Sequence, residues 1–241
     1  MGWGREGFAT ESASCILIVS IIDPIEVALT SNDRSSEQSV VFIVDDDDAM
    51  RAAVGRLVRS IGLSVVLLAS AREFLAQKLP NGPCCLVLDV RLPGLGGLDF
   101  QVELAKANIR TPIIFLTAYG DIPMTVKAMK AGAVEFLTKP FRDQDLIDAI
   151  QLALERDQTR REEDSVVLVL RSKFETLSPR EQEVMAYVTS GLLNKQIAGE
   201  IGITENTVKL HRGNVMEKMG VRSLAELVRM ADVLGVHGPK A

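Results

Sequence analysis

The chain has 241 residues, of which 47% are hydrophobic and 24% are charged, and its net charge is −5. This composition is ordinary for a globular protein, and the length suits one or two domains that each bury a core. The acidity excludes a protein that coats nucleic acid without selectivity, although a small basic face is compatible with it. The longest early apolar run, residues 15–22, is too short to span a bilayer, so we expect a cytoplasmic protein without a membrane partner.

The first 38 residues carry little structural signal. Residues 31–39 read SNDRSSEQS, a composition typical of disordered linkers, so residues 1–38 are predicted to be a disordered extension. The three cysteines, Cys15, Cys84 and Cys85, give no disulfide framework, which is consistent with a reducing compartment.

From Val40 onward, apolar runs alternate with stretches of helical spacing. The runs predict strands at 40–44, 63–68, 84–88, 113–116 and 134–137, and the stretches after them predict helices at 49–61, 71–79, 98–107, 121–131 and 144–156. Nearly continuous apolar strands are typical of a parallel sheet with helices on both faces. We therefore predict an α/β domain with the flavodoxin-like strand order 2-1-3-4-5, in which the first and third strands end side by side.

Polar residues close four of the predicted strands. Asp45 and Asp46 follow the first strand, Asp89 follows the third, Thr117 follows the fourth and Lys139 comes just after the fifth. Parallel strands bring their carboxyl ends to one edge of the sheet, so these side chains should share a pocket. Crowded carboxylates repel one another unless a cation relieves them, and an all-oxygen site suits Mg²⁺.

Four segments at these strand ends resemble the receiver domain of bacterial two-component response regulators. They are VDDD at 44–47, LDVRLPG at 88–94, LTA at 116–118 and FLTKPF at 136–141, and we assign residues 39–158 to this domain. A phosphatase of the haloacid-dehalogenase type also uses an aspartate nucleophile, but it needs an acid two residues later, where this chain has Arg91.

The resemblance implies a role for each residue of the pocket. Asp89 would accept a phosphoryl group from a sensor histidine kinase, with Lys139 and Thr117 as its catalytic partners. Thr117 and Phe136 would form the switch that reports phosphorylation. Mg²⁺ would be held by Asp45, Asp46, Asp89 and the backbone carbonyl of Arg91.

Two details of this region come from the residues themselves. A cis peptide is expected before Pro140, since X-Pro bonds tolerate it. Asp47 and Asp48 either tune the pocket or stabilise the start of the following helix, where the helix dipole favours acids.

The C-terminal third predicts four short helices and no strands. Ser178 and Glu181 form a capping box with Pro179 at the first helical position, Asn194 and Thr204 are predicted to cap the next two helices, and a last helix starts after Ser223. The second and third helices are separated only by Gly202 and Ile203. This pattern predicts an all-α helix-turn-helix domain with one extra helix, at residues 173–238.

Three segments of this domain, at 177–181, 194–198 and 207–212, resemble the LuxR-type DNA-binding domain, and the whole chain resembles a response regulator of the NarL/FixJ family. The resemblance implies that Lys209 and Leu210 face base edges of double-stranded promoter DNA. The residues expected near phosphates are Asn194, Lys195, Thr207 and Arg212. His211 is equally compatible with packing, a phosphate contact or base reading.

We therefore predict a phosphorylation-activated transcription regulator rather than an enzyme, dimeric when phosphorylated, with RNA polymerase as a further candidate partner. The alternative, a receiver that works through protein contacts without phosphate, is disfavoured by the complete set of pocket residues. Residues 159–172 are predicted to be a linker. Its charged first half and apolar run 166–170 leave two alternatives open: the preceding helix continues through it, or the apolar run packs on one of the domains.

Overall fold

The structure, a computed structural model, describes residues 38–118 and 120–238. Apart from Gln38, the predicted N-terminal extension lies outside the described residues. The chain that is described divides into two compact units, one ending at Arg161 and the other beginning at Glu162. None of the helices in this part of the chain is long and apolar enough to cross a membrane.

The first unit contains a five-stranded parallel sheet in the order β2-β1-β3-β4-β5, so the predicted flavodoxin-like topology is confirmed. The central strand β3 is buried along its whole length, because helices cover both faces of the sheet. The strands are β1 (Val40–Val44), β2 (Ser64–Leu68), β3 (Cys84–Asp89), β4 (Ile113–Thr117) and β5 (Glu135–Thr138).

Five helices follow these strands, namely α1 (Asp48–Ser60), α2 (Ala71–Leu75), α3 (Gly97–Lys106), α4 (Ile122–Lys130) and α5 (Asp143–Glu175). Side chains of α1 and α5 pack on one face of the sheet, and those of α2, α3 and α4 pack on the other. α2 ends four residues earlier than predicted. Pro80 disfavours helical backbone at Leu79, which shortens the stretch that can stay helical.

α5 is a single helix of 33 residues, and this resolves the two alternatives for the linker. Its first part contributes Leu146 and Ile150 to the core of the first unit. After Arg161 the same helix contributes Val166 and Leu170 to the core of the second unit. Both alternatives are therefore observed: the helix continues, and the apolar run packs on a core.

All regular secondary structure in the described part of the second unit is α-helical. It consists of the end of α5 with α6 (Pro179–Thr189), α7 (Asn194–Ile201), α8 (Glu205–Met219) and α9 (Leu224–Leu234). The predicted caps Ser178, Thr204 and Ser223 accept hydrogen bonds from the first turns of α6, α8 and α9. Gly202 ends α7 with a φ of 70°, in the left-handed region that glycine tolerates, and so permits the tight turn into α8.

The start of α7 differs from the prediction. Asn194 is the first helical residue rather than the cap, and the Leu193 N–H instead donates to Oε1 of Gln196 at 2.8 Å. The Asn194 side chain is engaged elsewhere, because its Oδ1 accepts a hydrogen bond from Nη1 of Arg212 at 3.3 Å. This contact links the two helices of the helix-turn-helix.

Candidate functional site

Three carboxylates meet at the carboxyl edge of the sheet. The register of β1 and β3 ends with Val44 beside Leu88, so the residues that follow, Asp45 and Asp89, are neighbours. Oxygens of Asp45, Asp46 and Asp89 lie within 4.8 Å of one another. Asp45 and Asp89 are buried and Asp46 is exposed. An all-oxygen donor set with one open side fits a hard divalent cation such as Mg²⁺.

Lys139 places its ammonium group against the two buried carboxylates. Its Nζ lies 2.8 Å from Oδ2 of Asp45 and 3.0 Å from Oδ2 of Asp89. Burial lowers the pKa of Lys139, but hydrogen bonds to Asp45 and Asp89 outweigh burial and raise that pKa above its ordinary value. The ammonium therefore stays charged. One ammonium against three carboxylates leaves excess negative charge that a divalent cation would balance.

Backbone N–H groups orient the same carboxylates. The N–H of Asp47 donates to Oδ1 of Asp45 at 2.9 Å, and the N–H of Arg91 donates to Oδ1 of Asp89 at 3.1 Å. Asp47 is also the N-cap of α1, and the hydrogen bond from the Met50 N–H is the main cause of its lowered pKa. Of the two roles left open for Asp47, capping is the one observed. The cis peptide predicted between Lys139 and Pro140 is confirmed.

The predicted switch residues lie on adjacent strands beside the pocket. Thr117 is completely buried at the end of β4, and its carbonyl oxygen accepts the Lys139 N–H at 2.6 Å. Phe136 is 9% exposed and its ring lies 6.0 Å from that of Phe115, centroid to centroid. The Phe136 ring therefore points inward in this structure, next to the strand that carries Thr117.

The predicted DNA-contacting residues fall on two helices of the second unit. Asn194 and Lys195 begin α7, and the other five lie in the first half of α8: Thr207, Lys209, Leu210, His211 and Arg212. Lys195 and Lys209 are exposed, and Leu210 is 64% exposed. Leu210 is an apolar side chain that remains accessible to solvent beside Lys209. Such a side chain is suited to contact with a DNA base.

The side chains around this surface are held by local hydrogen bonds. The Thr207 hydroxyl lies 2.8 Å from that of Thr204, and Lys209 Nζ lies 3.3 Å from a carboxylate oxygen of Glu205. Arg212 reaches Asn194, as described above. His211 is half-buried, and its Nδ1 has no hydrogen-bond partner among the residues that the structure describes.

Comparison with known families matches both units. Residues 41–151 match the family described as "Response regulator receiver domain", and residues 175–231 match "Bacterial regulatory proteins, luxR family". The chain is 40% identical over 200 residues to transcriptional regulatory protein FixJ of Azorhizobium caulinodans, a match that covers 83% of this chain and 95% of that protein. The chain belongs to the NarL/FixJ family of response regulators. It is thus a phosphorylation-activated transcription regulator.

Two further relatives of this response regulator match both units as well. Nodulation protein W of Bradyrhizobium diazoefficiens is 59% identical over 203 residues, which is 84% of this chain and 89% of that protein. The solved structure of response regulator StyR superposes with a TM-score of 0.70 at 48% identity, and the match covers 81% of this chain and 98% of StyR.

Two glycines of the receiver domain support the site and were not predicted from the sequence. A Cβ on Gly97 would lie 2.6 Å from the carbonyl oxygen of Asp89, so only glycine lets α3 start this close to β3. A Cβ on Gly120 would lie 2.8 Å from Cγ2 of Thr138 and 3.2 Å from the Phe136 ring. Three glycines lie close together here, at Gly94, Gly96 and Gly97, and this pattern could have predicted the close approach of α3 to the end of β3.

In the DNA-binding domain, Glu181 forms the capping box with Ser178 that the sequence predicted, and it is also a buried acid that links α6 to α8, which the sequence did not predict. Glu181 is 4% exposed and accepts hydrogen bonds from Lys218 Nζ at 2.6 Å, from the Ser178 N–H at 2.8 Å and from Asn214 Nδ2 at 3.1 Å. The hydrogen bond from Lys218, followed by that from Ser178, lowers the pKa of Glu181 to about 2. Glu181 therefore fixes α8, the helix that carries most of the predicted DNA-contacting residues, against α6.

Proposed function

We propose that this response regulator takes a phosphoryl group from a sensor histidine kinase onto Asp89 and then binds promoter DNA through α8. The observation that carries the proposal is the convergence of Asp45, Asp46 and Asp89 with the Lys139 ammonium, which contacts two of them. Phosphoryl transfer needs little covalent chemistry from a protein beyond positioning and charge neutralisation, and this pocket supplies both.

Asp89 is the nucleophile in this proposal. A carboxylate oxygen of Asp89 forms a bond to phosphorus while the bond from phosphorus to the donor nitrogen breaks, and the donor imidazole leaves with the electron pair. Mg²⁺, held by Asp45, Asp46, Asp89 and the Arg91 carbonyl, would neutralise the oxygens of the transferred group. Lys139 then exchanges a carboxylate oxygen for a phosphoryl oxygen, since its Nζ already lies 3.0 Å from Asp89.

An apolar cavity beside the pocket supports docking of a protein donor. It has a volume of about 520 Å³ and lies between α1 and the segment that follows β5. Met50, Leu57, Pro140 and Phe141 line it together with Lys139 itself. A kinase segment seated there would bring its phosphoryl group next to Asp89.

Thr117 and Phe136 relay the modification to the surface. A hydrogen bond from the Thr117 hydroxyl to the phosphoryl group draws Thr117 towards Asp89, and the Phe136 ring occupies the space beside β4. The ring already lies inward against Phe115 in this structure, so the space beside β4 is accessible to it, and the phosphoryl group would hold it there. Because the phosphoryl group binds only one of the two arrangements well, it shifts the population towards that one.

In this proposal, the phosphorylated protein dimerises through the adjacent helix α4. Ile122, Val126 and Met129 are 81%, 44% and 41% exposed and lie at positions i, i+4 and i+7 of α4, so they form one apolar stripe. Two receivers that pair through this stripe raise the effective concentration of two DNA-binding domains on an operator with two half-sites.

On the DNA, α8 enters the major groove of a promoter in the cytoplasm. Lys209 and Leu210 face base edges, whereas Asn194, Lys195, Thr207 and Arg212 contact phosphates, and His211 supports the helix from its half-buried position. Gly213 is exposed and has no side chain to read with, so base selection rests on the residues before it. RNA polymerase is the further partner that activation would require.

The proposal is tested by phosphorylating the full chain with a small phosphodonor and Mg²⁺, and following both labelling and sedimentation. We expect one acid-labile phosphate, which excess chelator prevents, and a shift from monomer to dimer. Asp89→Asn should lose both effects, whereas Asp48→Asn, which removes an exposed acid of α1, should keep them. Full labelling of the Asp89 variant would disprove the acceptor assignment, and a labelled protein that stays monomeric would disprove the dimer.

A further inference from the structure

A second cavity opens at the opposite edge of the receiver sheet. It has a volume of about 380 Å³ and lies beside the starts of β4 and β5, where the loops after α3 and α4 meet α5. Ile113, the first residue of β4, lines it, whereas the acidic pocket lies at the other end of the sheet, beside Thr117. Five residues of extended strand span roughly 13 Å, so the two sites are separate.

Among the described residues, three arginines and no acid line this cavity, and the arginines are Arg110, Arg156 and Arg160. Arg110 and Arg156 are exposed, and among residues 38–118 and 120–238 neither has a carboxylate within salt-bridge distance. The cavity walls are apolar and include Leu104, Ile109 and Val134. The combination of cationic groups with an apolar wall is that of a small-ligand site rather than of a plain solvated surface.

A buried carboxylate anchors α5 beside this cavity. Asp157 is completely buried, and its carboxylate is shared by Arg160 Nη2 and Arg161 Nε, both at 2.6 Å. The N–H of Cys84 adds a third hydrogen bond at 3.0 Å. Asp157 therefore fixes the turn of α5 that follows Arg156. The exposed guanidinium groups of Arg110 and Arg156 supply positive charge for an anion.

Two buried polar residues complete the cavity wall. Gln101 is 6% exposed and its Nε2 donates to the carbonyl oxygens of Ala131 and Ala128 at 3.1 and 3.3 Å, which fixes the loop after α4. Thr111 is 7% exposed and belongs to the loop before β4. The frame that holds the arginines therefore belongs to the folded core of the receiver.

We propose that this cavity binds a small organic anion, a compact apolar body that carries one carboxylate or phosphate group, with Arg110 and Arg156 as its anion-binding residues. Guanidinium groups form paired hydrogen bonds to carboxylate and phosphate alike, so the two head groups share one recognition chemistry. The apolar walls hold the body. Because Arg156 belongs to α5, the bound anion would tie this helix to the edge of β4 and β5.

The test uses the full chain in magnesium-free buffer, titrated with benzoate, phenyl phosphate and inorganic phosphate. We expect saturable calorimetric binding of benzoate or phenyl phosphate, tighter than that of inorganic phosphate, which lacks the apolar body. Which of the two binds better distinguishes a carboxylate ligand from a phosphate ligand. Amide chemical shifts should change at residues 108–111, at Ile113 and at residues 131–134, and not around Asp89.

Variants locate the binding. Arg110→Gln combined with Arg156→Gln should weaken binding about tenfold or more, because each loses a charge-assisted contact. Arg59→Gln combined with Arg72→Gln removes two exposed arginines elsewhere in the receiver and should leave the affinity unchanged. Circular dichroism verifies that each variant is folded. Equal affinity of the two double variants, absence of saturable binding, or shifts centred on Asp89 would overturn the proposal.

Discussion

The two functional regions of this protein are built in different ways. The acidic pocket of the receiver joins residues far apart in sequence, such as Asp45, Asp89 and Lys139, and buries most of each side chain. The proposed DNA-binding surface lies mainly on consecutive turns of one helix, and Lys209 and Leu210 are exposed to solvent. Changes to the buried contacts of the receiver should therefore reduce the free energy of unfolding, whereas changes on the exposed face of α8 should reduce DNA affinity with little effect on folding.

The largest loss of stability is expected for Asp157→Ala. This change leaves Arg160 and Arg161 without their shared carboxylate and the Cys84 N–H without its acceptor. Breaking a buried pair costs several kcal/mol, and since both arginines are partly exposed we expect about 2–3 kcal/mol. Urea denaturation measures this loss. Asp148→Ala, which removes an exposed acid of the same helix, is the control, and an equal loss in both variants would contradict the anchoring role of Asp157.

The second-largest loss of stability is expected for Gly97→Ala. The added Cβ would lie 2.6 Å from the Asp89 carbonyl oxygen and 3.0 Å from Cα of Val90, so α3 or the end of β3 must move. Forced overpacking costs about 1–3 kcal/mol. Because the displaced backbone carries Asp89, the proposed phosphoryl acceptor, labelling by a phosphodonor should slow as well. Gly96→Ala is a matched control, because its Cβ would meet nothing closer than 3.7 Å. Normal stability and labelling of the Gly97 variant would refute the close approach.

The sheet and the residues at its strand ends could be predicted from the sequence for a physical reason. Apolar runs and strand-end acids are local signals, and parallel topology then brings Asp45 and Asp89 together whatever the details of the loops. The contacts of Gly97 and Asp157 were not predictable in the same way. They depend on how close α3 and α5 come to β3, which no pattern of residue types along the chain specifies. The course of α5 was left open for a similar reason, since a charged stretch suits a solvated helix and a loop equally.

Glu181→Gln tests whether the second region also depends on a buried frame. Above a pH of about 4.5 the folded and unfolded states both carry the charged carboxylate, and its hydrogen bonds stabilise the fold. Because its pKa falls from 4.5 to about 2 on folding, this stabilisation is lost as pH drops between those values. The Glu181→Gln substitution should therefore cost about 1 kcal/mol at pH 7 and less at pH 3.

Thermal melts of the wild type and the Glu181→Gln variant are compared across this pH range. Glu183→Gln is the control, because Glu183 is partly exposed and its carboxylate pairs only with Arg180 among the described residues. A difference between the wild type and the Glu181 variant that stays constant from pH 7 to pH 3 would argue against a charged Glu181 as the link between α6 and α8.

Lys209→Ala should have the smallest effect on folding and a clear effect on DNA. Lys209 is exposed, and its ion pair with Glu205 on the preceding turn, at 3.3 Å, stabilises α8 by only about 0.3–0.5 kcal/mol. If Lys209 reads a base edge, its loss should relax base preference by about 1–3 kcal/mol. If Lys209 contacts phosphate alone, affinity for all DNA sequences should fall alike. The slope of log affinity against log salt concentration should then fall by about one unit. Arg222→Ala removes an equal charge outside α8 and serves as the control. Unchanged affinity of the Lys209 variant for a mapped promoter would refute both versions. A large loss of stability in this variant would contradict the distinction between a buried pocket that affects folding and an exposed surface that affects DNA affinity.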